Sequence, residues 1–225
     1  MNENYEAKVN DIKKENPFIS QTDIAYKMIT HNILENIFKP GDKINQENLS
    51  QMFSMSRTPI REALVRLEVD GLVEKNDKGY QVYKTNIRDY IDFYEYRMRL
   101  EGFAAYLAAR LISEDELDEL KSILAKYLRA IDNKEYKLTS EMDIKFHETI
   151  VKASKNSYLI KGYSMLKTKN RIFINRLDIG DEYFKASKKK HLDIFKAIKD
   201  RDEKLAQEMM TSHLMFYIYR LNNIR

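Results

Sequence analysis

A chain of 225 residues is long enough for one large domain or two modest ones. It has no cysteine, which excludes disulfides and thiolate metal sites and fits a reducing cytoplasm. No apolar run approaches the roughly 20 residues that span a bilayer, no signal sequence opens the chain, and a net charge of +4 is only a weak pointer to a nucleic-acid partner. The expectation is a cytoplasmic protein with no membrane segment. Acids and bases roughly balance between Gln21 and Lys84, so any DNA affinity there must come from where the bases are placed.

Residues 1–20 are polar and lack a clean apolar period. Two readings stay open for this arm: frayed chain, or an extra helix. From Thr22 or Asp23 a helix is expected, with Ile24, Met28, Ile29, Ile33, Leu34 and Ile37 as its stripe and Pro40 as its end. His31 lies on it alone and reads as a solvated or partly packed side chain. Pro40-Gly41 makes a turn. Ile44, Leu49, Met52 and Phe53 then form one apolar edge of a short helix that Asn45 can cap.

The next stretch, Ser56 to Leu64, organises the first half of the chain. Ser56 reads as an N-cap whose hydroxyl accepts a first-turn N–H, and Pro59 falls early, where a missing N–H costs least. Ile60, Ala63, Leu64 and Leu67 recur at helical spacing and must face a core. Arg57, Thr58 and Arg61 fall off that stripe and gather at the helix start, where unpaired N–H groups already favour phosphate. Arginines there can fork onto guanine edges or phosphates, as a recognition helix does in a major groove. Gly71 ends the helix. Residues 72–75, 76–79 and 80–83 read as strand, turn and strand, with Lys78-Gly79 at the tip. Together these elements make a winged helix-turn-helix.

From about Asp23 to Val82 the chain closely resembles the DNA-binding domain of the GntR family of bacterial transcriptional regulators. The resemblance is carried by Pro40-Gly41-Asp42, Glu47-Asn48-Leu49, the run from Ser56 to Leu64, Leu67-Glu68, Gly71-Leu72-Val73 and Lys78-Gly79. It implies DNA contacts from Ser56, Arg57, Thr58, Arg61, Lys78, Gly79 and Asn48. The family often has a basic residue at the position of Asn48, so that contact departs from its pattern.

After Tyr83 long helical periods take over, and no proline follows Pro59. The fold class is therefore mainly α: an N-terminal winged helix-turn-helix followed by an all-α antiparallel bundle of about six helices. The division expected is an arm at 1–20, a winged domain at 21–83, a linker at 84–88 and a helical domain at 89–225. Helices are predicted from Ile87 to Leu111, from a Ser113–Glu116 capping box to about Ile131, and from Glu135 to Ser154. Three more run from Tyr158 to about Leu177 with a break near Gly180, from Glu182 to Ile198, and from near Asp202 to about Leu221.

Three of the four histidines, His147, His191 and His213, lie on apolar stripes of this bundle. Asp143 is one turn before His147 on the same face. His191 and His213 are equidistant from the turn at Asp202, and in an antiparallel pair such residues face each other. A similar count across the fourth helix brings His147 to the same level. Facing side chains in a bundle core commonly build a metal site. Three imidazoles and a carboxylate suit zinc, with nickel or manganese as alternatives, and can leave coordination positions open. The competing reading is a set of hydrogen-bonded core histidines.

This region resembles the FCD ligand-binding domain of the FadR subfamily within the GntR family. Its markers are residues 97–101, Asp143-Ile144-Lys145-Phe146-His147, Ala153-Ser154-Lys155-Asn156, His191 and His213. The resemblance implies Asp143, His147, His191 and His213 as ligands of a divalent metal, with a small carboxylate effector beside it. Acyl-CoA-binding relatives lack this histidine set, which argues against that effector class. It also places Arg97 toward the cavity; alternatively Arg97 pairs with Glu101 as a surface or helix-end ion pair. By spacing, Asn170, four residues past Leu166, is a second inward candidate for the effector. Tyr90, Tyr94, Tyr96, Phe103 and Tyr106 read as packing or a subunit interface.

The function expected is that of a homodimeric transcriptional regulator, not an enzyme. It binds double-stranded operator DNA, and a small-molecule effector at the metal site controls its affinity. Two other classes compete: a metal-dependent hydrolase, which lacks a convincing general base or nucleophile, and an architectural DNA-binding dimer without effector.

Overall fold

The computed structural model describes residues 5–176 and 181–223, with side chains described over 5–173 and 186–219. The chain divides into two compact units, residues 1–85 and 86–225.

In the first unit, α1 (Tyr5–Glu15) is an extra helix with no buried residue, lying in the stretch left open between arm and helix. Tyr5 meets Phe53 edge to face, with ring centroids 5.4 Å apart. Helix α2 (Gln21–Leu34) buries Ile24, Met28, Ile29 and Ile33 as its stripe predicts, and Ser20 caps it by accepting the Asp23 N–H. It stops at Leu34, well before Pro40, because Asn36 turns into the left-handed region at φ 55°. Ile37 therefore leaves the stripe and is 38% exposed. The short helix α3 (Gln46–Phe53) is capped by Asn45, whose side chain accepts two first-turn N–H groups; such a cap contributes about 1 kcal/mol. Its buried residues are Leu49 and Phe53, whereas Met52 turns outward.

Helix α4 (Arg57–Val69) buries Pro59, Ile60, Ala63, Leu64 and Leu67. Ser56 is its N-cap by position and backbone, but its hydroxyl makes no capping bond, contrary to the expectation. Gly71, at φ 67°, ends the helix in a conformation that a Cβ would disfavour. The hairpin of β2 (Val73–Asn76) and β3 (Gly79–Val82) follows, with Asn76 paired to Gly79 across its turn. A third strand that the pattern did not predict, β1 (Lys43–Ile44), pairs antiparallel with β3. The sheet order is β1-β3-β2. Two residues carry too little alternation to be read as a strand.

The second unit holds α5 (Ile87–Leu111), α6 (Glu114–Asp132), α7 (Tyr136–Ala153), α8 (Ser157–Arg176), α9 (Asp181–Lys199) and α10 (Glu203–Asn223). Reciprocal capping boxes start α5 (Asn86 with Asp89) and α6 (Ser113 with Glu116). The expected end near Leu177 and break near Gly180 lie outside the described residues. Helices α5 and α10 pack closely at Gly102, where a Cβ would come within 2.7 Å of Thr211 Oγ1. Arg201, at φ 59°, forms the α9–α10 turn. No helix among the described residues is long and apolar enough to cross a membrane.

Candidate functional site

On α7 the buried positions Thr139, Met142, Asp143, Phe146, His147, Ile150 and Val151 follow one helical stripe. Asp143 and His147 thus occupy places in a core stripe, where an unsatisfied polar group is costly. His191 on α9 and His213 on α10 come in from the facing helices. One ligand atom from each of the four residues lies within 4.8 Å of the other three, and all four residues are buried.

The hydrogen bonds decide which ring nitrogens are available. Burial pushes the Glu101 carboxyl up, but the charges of Arg97 and His147, with their hydrogen bonds, outweigh it and hold Glu101 below the carboxylate range. Ionised Glu101 can only accept, so His147 Nδ1, at 2.5 Å from its Oε2, is the donor. In the neutral ring that leaves Nε2 bare. It faces His213 Nε2 at 3.2 Å and Asp143 Oδ1 at 4.0 Å. His191 repeats the logic: Nδ1 donates to the Ser187 carbonyl at 2.9 Å, so Nε2 is bare in the neutral ring. That Nε2 lies 3.1 Å from Asp143 Oδ1, yet off the direction of an aligned hydrogen bond.

Once both rings are neutral, as a metal ligand must be, their lone pairs and a carboxylate converge on one point. Burial raises the Asp143 carboxyl, but the His191 contact and the charges of His147, His191 and Arg97 prevail and keep it low, hence anionic. Burial, then the charges of His191 and His147, pushes His213 well below its ordinary value, hence neutral. Asp143 Oδ2 and His213 Nδ1 are buried with no hydrogen-bond partner. A donor set of bare imidazole nitrogens around an orphaned carboxylate oxygen fits a divalent cation.

Arg97 is no surface ion pair. It is 1% exposed, its Nε donates to Glu101 Oε1 at 2.5 Å, and its Nη1 donates to Asn170 Oδ1 at 2.8 Å. The two readings of Arg97 are thus joined: it pairs with Glu101 and it lies beside the cluster. Asn170 Nδ2 and the hydroxyls of Tyr94 and Tyr163 are also buried without partners. Tyr94 is fully buried and stacks on Tyr217 at 4.6 Å, which removes it from any exposed interface. Glu101 is the site residue that spacing alone under-read. Its signal was an acid inside the alanine-rich buried face of α5, one turn after Arg97. Ser187, which also accepts or donates at 2.7 Å to Tyr127, carried no signal at all.

In the winged unit Arg57, Thr58 and Arg61 are exposed at the start of α4, as is Ser56 before it. Asn48 on α3 and Lys78 at the hairpin turn are exposed too, and Gly79 is half-buried. Glu47 holds Arg57 through a 2.9 Å ion pair across α3 and α4. His31, on the opposite element α2, lies 2.9 Å from Lys8 Nζ.

A winged helix-turn-helix joined to a helical bundle with a buried carboxylate–histidine cluster defines a class: transcriptional regulators that bind DNA through one unit and carry a separate helical domain. Family models sharpen this: "Bacterial regulatory proteins, gntR family" matches residues 21–79, and "FCD domain" matches residues 92–216. The chain belongs to the GntR family of transcriptional regulators, with an FCD domain. It is 31% identical to the uncharacterized HTH-type transcriptional regulator YdhC of Bacillus subtilis, over 84% of this chain and 85% of that one. It is 28% identical to the HTH-type transcriptional repressor GlaR of Escherichia coli, over 85% and 91%. The solved structure of E. coli McbR/YncC shares the fold, with a TM-score of 0.76 at 21% identity over 92% of this chain and 99% of that one.

Proposed function

We propose that this regulator binds operator DNA as a homodimer and that a small carboxylate effector, held at a metal site in the helical unit, sets its affinity. The observation that carries the reading is the convergence of Asp143, His147, His191 and His213 within 4.8 Å. Zinc suits this set best, with nickel and manganese as alternatives. When bound, the ion supplies a Lewis-acidic centre that neutralises Asp143 and accepts a carboxylate oxygen in a free position. The chain's own residues do the rest. Glu101 fixes His147 with its Nε2 toward the cluster, and Ser187 does the same for His191. Arg97 and Asn170 offer donors to the effector.

In the winged unit Arg57, Thr58 and Arg61 read base edges and phosphates from the start of α4. Ser56, Asn48, Lys78 and Gly79 contact the backbone around them. One winged unit covers a short half-site, so paired half-sites call for a two-fold protein. An effector that binds one arrangement of the dimer better than another shifts operator affinity by that difference.

The test is metal content per chain, measured on protein purified without chelator and offered zinc, nickel and manganese. Operator affinity is then titrated with small carboxylates. Gluconate, for whose operon a 29% identical Bacillus licheniformis repressor is named, is a first choice. About one ion per chain and a carboxylate-dependent change in affinity are expected. Protein that retains none of the three metals sinks the sensing mechanism.

A further inference from the structure

The outer face of α5 carries one exposed stripe, and it is symmetric end to end. Asp92, Tyr96, Arg99, Phe103, Tyr106 and Arg110 follow one another at alternating steps of four and three residues. That is the spacing of a coiled-coil seam. Tyr96 is 51% exposed and Phe103 44%. Asp92, Arg99 and Arg110 are exposed and Tyr106 is half-buried. The spacing, not the residue order, reads the same in both directions about the level of Glu101. Asp92 and Arg110 are equidistant from it in sequence, as are Tyr96 and Tyr106, and Arg99 and Phe103.

We infer that this stripe is the subunit interface, formed by antiparallel pairing of α5 with α5 of a second copy. The inference rests on the homodimer reading above and adds where the copies meet. In a two-fold antiparallel pair, residues equidistant from the centre oppose each other, and every contact occurs twice. Here each opposition is favourable. Asp92 meets Arg110 at both ends, tyrosine meets tyrosine, and Arg99 lies over Phe103 at the centre, a cation–π pairing. Displacement of either helix by one turn would bring Asp92 opposite Tyr106 and leave the charges unmatched, so the pattern also fixes register. The seam runs roughly 27 Å along the axis at the usual helical rise. In the single chain Asp92 pairs with Arg88 at 2.8 Å and Arg110 with Glu203 at 4.0 Å; both are surface pairs of small net worth, which a partner charge can replace.

The experiment is sedimentation of the full chain over a concentration series. Wild type is expected to sediment as a dimer. Asp92→Arg or Arg110→Asp should each raise the dimer dissociation constant by roughly tenfold or more, because like charges then oppose twice. The double swap Asp92→Arg/Arg110→Asp should restore it. Because the chain has no cysteine, Tyr96→Cys/Tyr106→Cys should cross-link into a covalent dimer on oxidation, whereas either single change should not. Circular dichroism confirms that each variant keeps its helices. A dimer that ignores both charge reversals and fails to cross-link overturns this interface while leaving the homodimer standing. A monomeric wild type overturns the homodimer reading itself.

Discussion

Glu101 on α5 accepts a 2.5 Å hydrogen bond from Nδ1 of His147 on α7, while its other oxygen is bonded by Arg97. None of the candidate ligands lies on α5. Glu101 ties this helix to the cluster by bonding His147 directly, and Tyr94 does so through Tyr217, which packs against His213.

Glu101→Gln should weaken zinc affinity by roughly 10–100-fold, the usual effect of losing a partner that orients a ligating histidine. A chelator competition assay measures it. Imidazole nitrogen NMR supplies a second readout, since loss of the Nδ1–H tautomer at His147 should accompany the loss of affinity. Because the change leaves Arg97 buried without its counter-charge, Arg97→Met/Glu101→Met serves as a control that keeps the interior neutral. Zinc affinity and tautomer both unchanged in that double variant would show Glu101 to be a mere counter-ion for Arg97.

Substitution of His191 or His213 by alanine should lower metal content per chain. It should also remove the rise in melting temperature that zinc gives wild type, because an ion bound only to the native state stabilises it. At zinc a hundredfold above the dissociation constant that stabilisation is about 2.7 kcal/mol. The winged unit's contacts are untouched, so operator binding in the absence of effector should persist. Full zinc occupancy in both variants would show that these rings pack rather than ligate.

Arg57→Ala and Arg61→Ala should each cost about 1–3 kcal/mol of operator affinity if they read bases. Lys78→Ala should weaken all sequences alike and lower the salt slope by about one. Glu47→Gln frees Arg57 from its 2.9 Å partner and should relax discrimination between operators more than it changes affinity for random DNA. Operator and random duplexes titrated at several salt concentrations check all three. Near-wild-type affinity in the Arg57→Ala/Arg61→Ala double variant would contradict the assignment of α4.

Acid should destabilise the metal-free helical unit. Burial and the neighbouring histidines hold His213 well below the ordinary 6.5. As pH falls below that value the unfolded chain takes up a proton that the folded chain refuses, so stability is lost toward the folded value. Asp143 and Glu101, both held below the ordinary 3.8 and 4.5, act in the same direction further into acid. Their contribution is present above those values and lost as pH falls through the folded ones. Chelator-stripped protein should melt at a lower temperature at about pH 5.5 than at about pH 7.5. His213→Asn should flatten that difference. Equal melting temperatures of the wild type at both would refute the sign argued here.

The sequence by itself determined the helices from α2 onward, the exposed arginines at the start of α4 and the four converging residues. Those features are local: a capping box, a 3.6-residue stripe and an i, i+4 pair are set by neighbours along the chain. Equidistance from a turn extended the reading to His191 and His213, because an antiparallel helix pair maps sequence distance onto height. Tertiary structure alone decided the rest. It put Arg97 in the interior, where Glu101 and Asn170 satisfy it, and assigned the bare nitrogens of His147 and His191 through Glu101 and Ser187. It also added β1, too short to alternate, and turned Ile37 and Met52 out of stripes that the pattern had included. In each case the deciding partner lies on another element. The free energy of a buried charge, an orphaned carboxylate oxygen or a two-residue strand depends on what packs across from it, and no stripe records that.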